Sequence, residues 1–285
     1  MTSANLEVQG LVKQYPTFRL NNVSFALAKG SIMGFVGENG AGKTTTIGCI
    51  LNTLIKDGGS VRIFGKEMTD AATDIREDIG VVYDSNAFPD DLSPTKICRA
   101  MRGIYKNWDT PAFERWIQRF KLPPDNKIST FSKGMSMKLS IAAALAHKPR
   151  LLVLDEATSG LDPIVRDEIL DVFLEFVQEK NNSILLSSHI TSDLEKVADT
   201  ITFIHDGNII FSELRTILHE NYGVLRCTAE KFSEIAREDI ISYRKTDSGV
   251  DVLTADRQAA AKYGTAVDSV SIEDIMLLMV KGEQK

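Results

Sequence analysis

The sequence contains no apolar run long enough to cross a membrane. Its longest apolar runs, such as residues 275–280, are about a third of the roughly 18 residues that a spanning helix needs. The first ten residues, MTSANLEVQG, also lack the basic stretch and the apolar stretch of a secretory signal. We therefore expect a chain that neither spans a membrane nor carries such a signal.

Cysteine is scarce, and basic residues are not in excess. The three cysteines, at positions 49, 98 and 227, stand far apart and lack metal-ligand spacing, which is typical of free thiols in a reducing compartment. The 33 Lys and Arg against 39 Asp and Glu give a net charge of −6, which argues against nucleic acid as a partner. With 285 residues, of which 43% are apolar, we expect a cytosolic protein of one large or two modest domains.

Apolar runs alternate with helical patterns, which is typical of an α/β fold. Strands are predicted at 5–13, 20–27, 31–36, 60–64, 79–83, 151–154 and 184–186, and helices at 43–54, 132–147 and 163–180. Between about residues 88 and 148 the pattern is mainly helical. An aromatic stripe with helical spacing lies in this region and is interpreted as core; it consists of Phe113, Trp116, Ile117 and Phe120.

Residues beyond about 200 have a different pattern. Asp206-Gly207 separates two β-rich runs at 201–204 and 208–211, which predicts a hairpin. After about residue 222 strands and helices mix, and a helix closes the chain near 271–281.

We divide the chain accordingly. Residues 1–222 are expected to form an α/β domain that includes a helical subdomain at about 86–149. Residues 223–285 are expected to form a small C-terminal α+β domain, whose role the sequence does not indicate.

Residues 37–44 match the pattern G-x-x-x-x-G-K-[ST], with an apolar strand before them and a helix after them. Glycines let backbone N–H groups surround a phosphate, and the helix start adds its dipole. Lys43 then contacts the β- and γ-phosphates, and the Thr44 hydroxyl binds Mg²⁺. This loop predicts nucleotide binding, but by itself it leaves kinase, GTPase, helicase and transport ATPase open.

A second acidic site follows the strand predicted at 151–154. Because ligands bind at the carboxyl ends of strands in such sheets, Asp155 and Glu156 are expected to face the nucleotide. Asp155 suits Mg²⁺ held through water, and Glu156 suits a general base for the attacking water.

Four further features occur in a fixed order around these two sites. They are Tyr15, the helix start at residues 131–135, the loop at 159–162, and His189 after the next strand. Ser132 and Gly134 lie at the helix start and form a second anion site. Two anion sites so far apart in one chain indicate a nucleotide held between two chains.

Over residues 5–222 the sequence resembles the ATPase subunit of an ATP-binding cassette (ABC) transporter. The resemblance implies a P-loop NTPase fold, with a RecA-like core sheet and a helical subdomain, followed here by the C-terminal α+β segment. It implies that ATP is bound by Tyr15, Gly37, Asn39, Gly40, Ala41, Gly42, Lys43, Thr44, Thr45, Ser132, Gly134 and Asp162.

The same resemblance implies the reaction and its residues. The catalytic residues would be Glu156, His189 and Lys43, and the Mg²⁺ ligands would be Thr44, Asp84 and Asp155. In that family two subunits pack head to tail, so that Ser132 and Gly134 would contact the γ-phosphate bound by the neighbouring subunit.

The sequence departs from the family pattern at several positions. Asp84 stands where the family usually has Gln; it offers an oxygen to Mg²⁺ but adds a negative charge and has a shorter reach. Lys133 and Met135 stand where Gly and Gln are typical, and Ala157 replaces a frequent Pro. Because Glu156 and His189 are both present, we expect a site that hydrolyses ATP.

The leading interpretation is the motor subunit of a bacterial exporter of drugs, antimicrobial peptides or similar amphipathic cargo. Its expected partners are a separate membrane-spanning permease, contacted by residues 84–108, and a second ATPase subunit, identical or different. The expected cofactors are ATP and Mg²⁺, and the expected location is the cytoplasmic face of the membrane. Nucleic acid is not an expected partner.

Competing classes of function agree less well with the sequence. ABC proteins of translation usually carry two cassettes, and those of DNA repair carry long coiled-coil insertions, whereas only about 90 residues separate the two anion sites here. A kinase or GTPase would lack residues like those at 131–135. A regulatory ABC ATPase that drives a non-transport process remains an alternative, and the sequence does not identify the cargo.

Overall fold

The computed structural model describes residues 4–85, 87–179, 181–264 and 267–283. Residue 86, where the helical subdomain is predicted to begin, and residue 180, the predicted end of a helix, lie outside this description. The same holds for the first three and the last two residues of the chain.

The secondary structure alternates between strands and helices, as predicted. The strands are β1 (Ala4–Gln14), β2 (Arg19–Ala28), β3 (Ile32–Val36), β4 (Gly58–Ile63), β5 (Lys66–Glu67), β6 (Ile79–Tyr83), β7 (Leu151–Asp155), β8 (Ser183–Ser188), β9 (Thr200–His205), β10 (Asn208–Leu214), β11 (Gly223–Cys227), β12 (Ser242–Thr246), β13 (Gly249–Thr254) and β14 (Val267–Ser269). The helices are α1 (Lys43–Ile50), α2 (Thr73–Glu77), α3 (Pro94–Met101), α4 (Thr110–Arg119), α5 (Lys133–Ala146), α6 (Pro163–Gln178), α7 (Thr191–Val197), α8 (Arg215–Asn221), α9 (Ala229–Glu234), α10 (Arg257–Ala260) and α11 (Ile272–Lys281).

A six-stranded sheet with the order β10-β9-β3-β8-β7-β6 forms the centre of the fold. Five of its strands are parallel, and only β10 pairs in the antiparallel sense. Every residue of β3, β7 and β8 is buried, which explains why these strands are continuous apolar runs rather than alternating ones. The α/β prediction is confirmed.

Alternate residues of the central strands face two different cores, because successive side chains of a strand point to opposite faces. On β3, Met33 and Phe35 pack in a core shared with α1 and with an antiparallel sheet of order β2-β1-β4-β5. Ile32 and Val36 pack in a second core with α4 to α7. The sheet is therefore covered on both faces, and ligands have access at its carboxyl edge.

The aromatic stripe on α4 is part of this second core. Phe113, Ile117 and Phe120 are buried, and Trp116 is half-buried beside them. Asp109 accepts a hydrogen bond from the Ala112 N–H at 2.9 Å and caps the helix, with Pro111 in its first turn.

One predicted element is too long. The helix predicted at 43–54 ends at Ile50, and Asn52 has a left-handed φ of 56°. The N–H groups of Thr53 and Leu54 donate to the Gly48 carbonyl at 2.9 and 3.0 Å, so the chain turns back on the last turn of α1. An asparagine in this conformation just after a helix is a frequent helix terminator, and the apolar pattern alone did not reveal it.

The C-terminal residues form a third, antiparallel sheet of order β12-β13-β11-β14. One set of its residues, with Leu225, Val250 and Val252, forms a small separate core. Another set, with Val224 and Leu253, joins the large core beneath the central sheet.

The helices within the described ranges include none that combines the length and the apolar character needed to cross a bilayer.

Candidate functional site

The loop between β3 and α1 needs glycine at several positions. A Cβ atom on Gly37 would lie 2.4 Å from the Ile204 carbonyl oxygen. Gly40 and Gly42 have φ values of 85° and 112°, which are unfavourable for residues with a Cβ. Asn39 and Gly40 are exposed and Thr45 is half-buried. The loop thus brings its backbone to a surface where phosphates can approach.

Lys43 folds back over this loop. Its Nζ donates to the Gly37 carbonyl at 2.8 Å and to the Glu38 carbonyl at 3.3 Å, and it lies 3.2 Å from Glu156 Oε1. The lysine side chain is only 6% exposed. A buried cation is stable only when acceptors surround it, and phosphate oxygens are acceptors of the same kind with more charge.

The loop is also tied to the neighbouring hairpin. The Gly207 N–H donates to the Ala41 carbonyl at 3.0 Å, and Ala41 is buried. This bond holds the middle of the loop on the turn between β9 and β10.

Glu156 and His189 follow the adjacent strands β7 and β8, and their side chains meet. Glu156 Oε2 lies 2.7 Å from His189 Nδ1. The Glu156 backbone has a left-handed φ of 56°, and its N–H donates to the Ser187 carbonyl at 3.1 Å. Such a conformation is unfavourable for glutamate and is common at active sites. It turns the carboxylate towards both Lys43 and His189.

Asp155 lies one residue earlier and is buried. Burial raises the pKa of its carboxyl group, while the nearby hydroxyls of Thr44 and Ser187 act in the opposite direction. Among the described residues, its Oδ1 atom has no hydrogen-bond partner. A buried carboxylate with a free oxygen, close to an exposed threonine at a helix start, fits a hard cation such as Mg²⁺.

The described residues contain no group of three or more His, Cys, Asp or Glu side chains that could hold a metal ion by themselves.

Asp84 follows Tyr83, the last residue of β6. Strand β6 pairs with β7, and Tyr83 is in register with Asp155 of that strand. The residue is exposed and lines a cavity of about 300 Å³ together with Lys133, Ser136 and Ser140. Thr44 and Asp155 do not line this cavity. Asp84 and Lys133, two of the departures from the family pattern, therefore lie around one space.

The predicted second anion site, with Ser132 and Gly134, lies at the start of α5, where Ser132 is exposed. Ser132 caps the helix, and its Oγ accepts the Met135 N–H at 3.2 Å. A Cβ atom on Gly134 would lie 3.2 Å from Val165 Cγ1, so α5 begins close to α6. Within the described chain, no side-chain hydrogen bond or ion pair joins Ser132 to residues 37–44.

Asp162 caps the neighbouring helix α6. Its Oδ1 accepts the N–H groups of Ile164 at 3.1 Å and Val165 at 3.0 Å. Asp162 is exposed, and in this chain its side chain has a local role at the helix start.

Tyr15 is half-buried in the turn between β1 and β2, with Lys13 Nζ 5.6 Å from its ring centroid. The same turn contains Phe18, which the sequence analysis missed. The Phe18 ring reaches the loop between β3 and α1, which we call the phosphate loop. The Phe18 Cζ atom lies 2.8 Å from the position that a Cβ atom on Gly42 would take. A single aromatic residue within a turn has no sequence pattern that would predict this contact.

Known proteins that are similar to this chain show its family. The family described as ABC transporter matches residues 20–159. The bacitracin transport ATP-binding protein BcrA of Bacillus licheniformis is 33% identical over 73% of this chain and 69% of its own length. The lantibiotic transport ATP-binding protein SrtF of Streptococcus pyogenes is 34% identical over 73% of this chain and 90% of its own length. The chain belongs to the ATP-binding subunits of ABC transporters.

The fold of this ABC ATPase subunit agrees with that assignment. A solved structure of an ATP-binding subunit of an ABC transporter superposes with a TM-score of 0.69, at 26% identity, and covers 76% of this chain and 92% of the other. The subunit therefore binds ATP and hydrolyses it to drive transport.

Proposed function

We propose that this ABC ATPase subunit drives an exporter of antimicrobial peptides, drugs or similar amphipathic molecules. The names of its bacitracin and lantibiotic relatives support this class of cargo. The subunit acts at the cytoplasmic face of the membrane, bound to a separate membrane-spanning permease and to a second ATPase subunit.

The contact between Glu156 and His189, 2.7 Å long and next to Lys43, is the observation that supports hydrolysis at this site most directly. In the proposed mechanism Lys43 leaves the Gly37 and Glu38 carbonyls and binds the phosphates of ATP. Glu156 accepts a proton from the attacking water, and His189 Nδ1 holds the carboxylate oriented.

Thr44 and Asp155 are the proposed Mg²⁺ ligands, and Asp84 a further one through water. The ion, when bound, neutralises phosphate charge. The unpartnered Oδ1 of Asp155 supports its part in this set. Tyr15 is proposed to stack on the adenine ring.

A second ATPase subunit is proposed to complete the site. Ser132 and Gly134 lie at an exposed helix start whose positive end is free to meet the γ-phosphate of ATP bound by the partner. Asp162, at the neighbouring exposed helix start, is proposed to lie at the same interface.

The permease is proposed to dock beside residues 84–108. This surface has a cavity of about 350 Å³ between β6, α3 and α5, with apolar lining from Phe88, Leu92 and Met101. The third sheet and its small core support residues 223–285 as a small C-terminal α+β domain.

Replacement of the proposed base tests this function. Glu156→Gln keeps the shape of the side chain but cannot accept the proton, so the variant should bind ATP and lose at least about 100-fold of its hydrolysis rate. Phosphate release and the ATP-dependent change in mass by size-exclusion chromatography are the measurements, and a stable ATP-bound dimer is expected.

Glu234→Gln is the control, because Glu234 is exposed in the C-terminal segment and pairs only with Lys231 among the described contacts. Phosphate release by Glu156→Gln at the wild-type rate would remove Glu156 from the mechanism. If no polytopic membrane protein co-purifies with the chain, the proposed exporter function is contradicted.

A further inference from the structure

The C-terminal helix α11 lies close to His189 and to the loop between β3 and α1. A cavity of about 430 Å³ is lined on one side by Met276, Leu277 and Val280 of α11. The same cavity is also lined by Gly37 and by residues 189–192, which include His189. The part of the chain with no assigned role thus borders the hydrolysis site.

A hydrogen bond joins the start of α11 to α7, the helix that begins two residues after His189. The Ile272 N–H donates to Glu195 Oε1 at 2.9 Å. Ser271 and Asp274 form a capping box that satisfies the neighbouring groups of the same helix start. The Glu195 carboxylate therefore lies where the dipole of α11 favours negative charge.

The apolar faces of the two helices share one core. Leu194 and Val197 of α7 are buried in the same cluster as Ile275 and Leu278 of α11. The other side of α7 is held by α6, where Arg166 Nε lies 3.3 Å from Asp193 Oδ1. Helix α7 has seven residues and no side-chain cap, so its position depends on these neighbours rather than on its own stability.

The far end of α11 is fixed to the third sheet. Tyr243 of β12 and Glu283 exchange two backbone hydrogen bonds of 2.9 and 2.8 Å, and Tyr243 Oη donates to Glu283 Oε2 at 2.7 Å. Helix α11 therefore connects the C-terminal sheet at one end with the His189 loop at the other.

We infer that Glu195 is a positioning residue for ATP hydrolysis: by holding the start of α11 against α7, it fixes the loop that places His189 on Glu156. The C-terminal segment thereby sets the rate of hydrolysis, and a partner that moves α11 changes that rate. This inference rests on the proposed role of His189.

The full-length chain with Mg-ATP provides the test. Glu195→Ala removes the acceptor of the Ile272 N–H, and we expect kcat to fall about tenfold, because small displacements of a catalytic group have effects of this size or more. KM for ATP should stay within about twofold, since the phosphate loop is unchanged. Glu195→Gln retains an acceptor oxygen and should restore kcat to at least about half of the wild-type value.

The matched control is Thr228→Ala. Thr228 caps α9 in the same C-terminal segment, where its Oγ1 accepts the Lys231 N–H at 3.3 Å, and in the described contacts it touches neither α7 nor α11. Its loss should lower the melting temperature and leave kcat unchanged. A wild-type kcat in Glu195→Ala, or an equal fall of kcat in Thr228→Ala, would overturn the inference.

His189→Ala, measured in parallel, separates the two proposals. If it abolishes hydrolysis while Glu195→Ala does not affect kcat, the positioning role is wrong and the role of His189 stands. If His189→Ala retains wild-type hydrolysis, the role of His189 itself is wrong, and the inference falls with it.

Discussion

Lys43, Glu156 and His189 form one continuous set of contacts before any nucleotide is considered. Lys43 Nζ lies 3.2 Å from one oxygen of Glu156, and His189 Nδ1 lies 2.7 Å from the other. Lys43 also donates to the carbonyls of its own loop, and in the proposed mechanism the phosphate oxygens of ATP replace these acceptors. The Glu156 carboxylate therefore contacts both the lysine proposed to bind phosphate and the histidine proposed to orient the base.

Two glycines of the phosphate loop should respond differently to alanine. In Gly37→Ala the new Cβ meets the Ile204 carbonyl oxygen at 2.4 Å, and a backbone atom cannot easily move away. We expect a loss of about 2 kcal/mol or more in the free energy of unfolding. Urea unfolding without nucleotide is the measurement.

Gly40→Ala is the matched variant for this comparison. A Cβ on Gly40 meets no atom of the described residues within 4 Å, and the left-handed φ of 85° is what opposes it. The expected loss is about 1 kcal/mol. Equal losses of unfolding free energy in the two variants would show that contact with the Ile204 carbonyl does not cause the loss in Gly37→Ala.

Among the helices, α5 is anchored at both ends by different means. Ser132 caps its start, and His147 follows its last residue. The His147 ring is buried, stacks on Tyr105 with 4.0 Å between ring centroids, and places Nε2 3.1 Å from the Ile79 carbonyl oxygen. This residue thus ties the helix to strand β6 and to the segment after α3.

Burial lowers the pKa of His147 below its usual value of 6.5. In the unfolded chain this imidazole therefore binds a proton at a higher pH than in the folded chain. The stability contributed by the neutral His147 ring is present above about pH 6.5 and is lost as the pH falls through the folded pKa. Melting temperatures between pH 8 and pH 5 should fall more steeply for the wild type than for His147→Gln.

The same variant should be less stable at pH 8 by about 1 kcal/mol, because the ring stack with Tyr105 is lost. Parallel curves for the two proteins across the whole pH range would exclude His147 as the titrating group.

In the whole molecule, the C-terminal segment is joined to the ATPase by apolar packing. Val224, Val270, Ile272, Ile275 and Leu278 are buried in the same cluster as the strands of the central sheet. The proposed domain boundary near residue 222 is therefore a boundary between sheets that crosses a shared core. Such a core transmits displacements, because packed interiors have little free volume.

A chain that ends after Tyr222 tests this packing. Removal of the later residues uncovers apolar side chains under the central sheet, and we expect a melting temperature lower by about 10 °C or more, together with stronger binding of a hydrophobic dye. Thermal unfolding and dye fluorescence are the measurements. A truncated chain with wild-type stability would show that the large core is complete without the C-terminal segment.

The sequence by itself determined the α/β class, the phosphate loop and the order of the site motifs. These features are local: glycines that permit unusual φ values, a helix start that follows them, and carboxylates at the end of a buried run. The positions of the strands could be read from apolar runs, because such runs are also local features of the sequence. The end of α1 could not, since it depends on the conformation of Asn52 and on two bonds to the Gly48 carbonyl.

Only the tertiary structure decided which distant residues meet. The sheet order places β3, β7 and β8 side by side and so brings Lys43, Glu156 and His189 together. It also brings Phe18 to the phosphate loop and α11 to α7, contacts that have no sequence pattern of their own. Periodicity records which face of an element is buried, whereas the partner on that face is set by the packing of the whole chain.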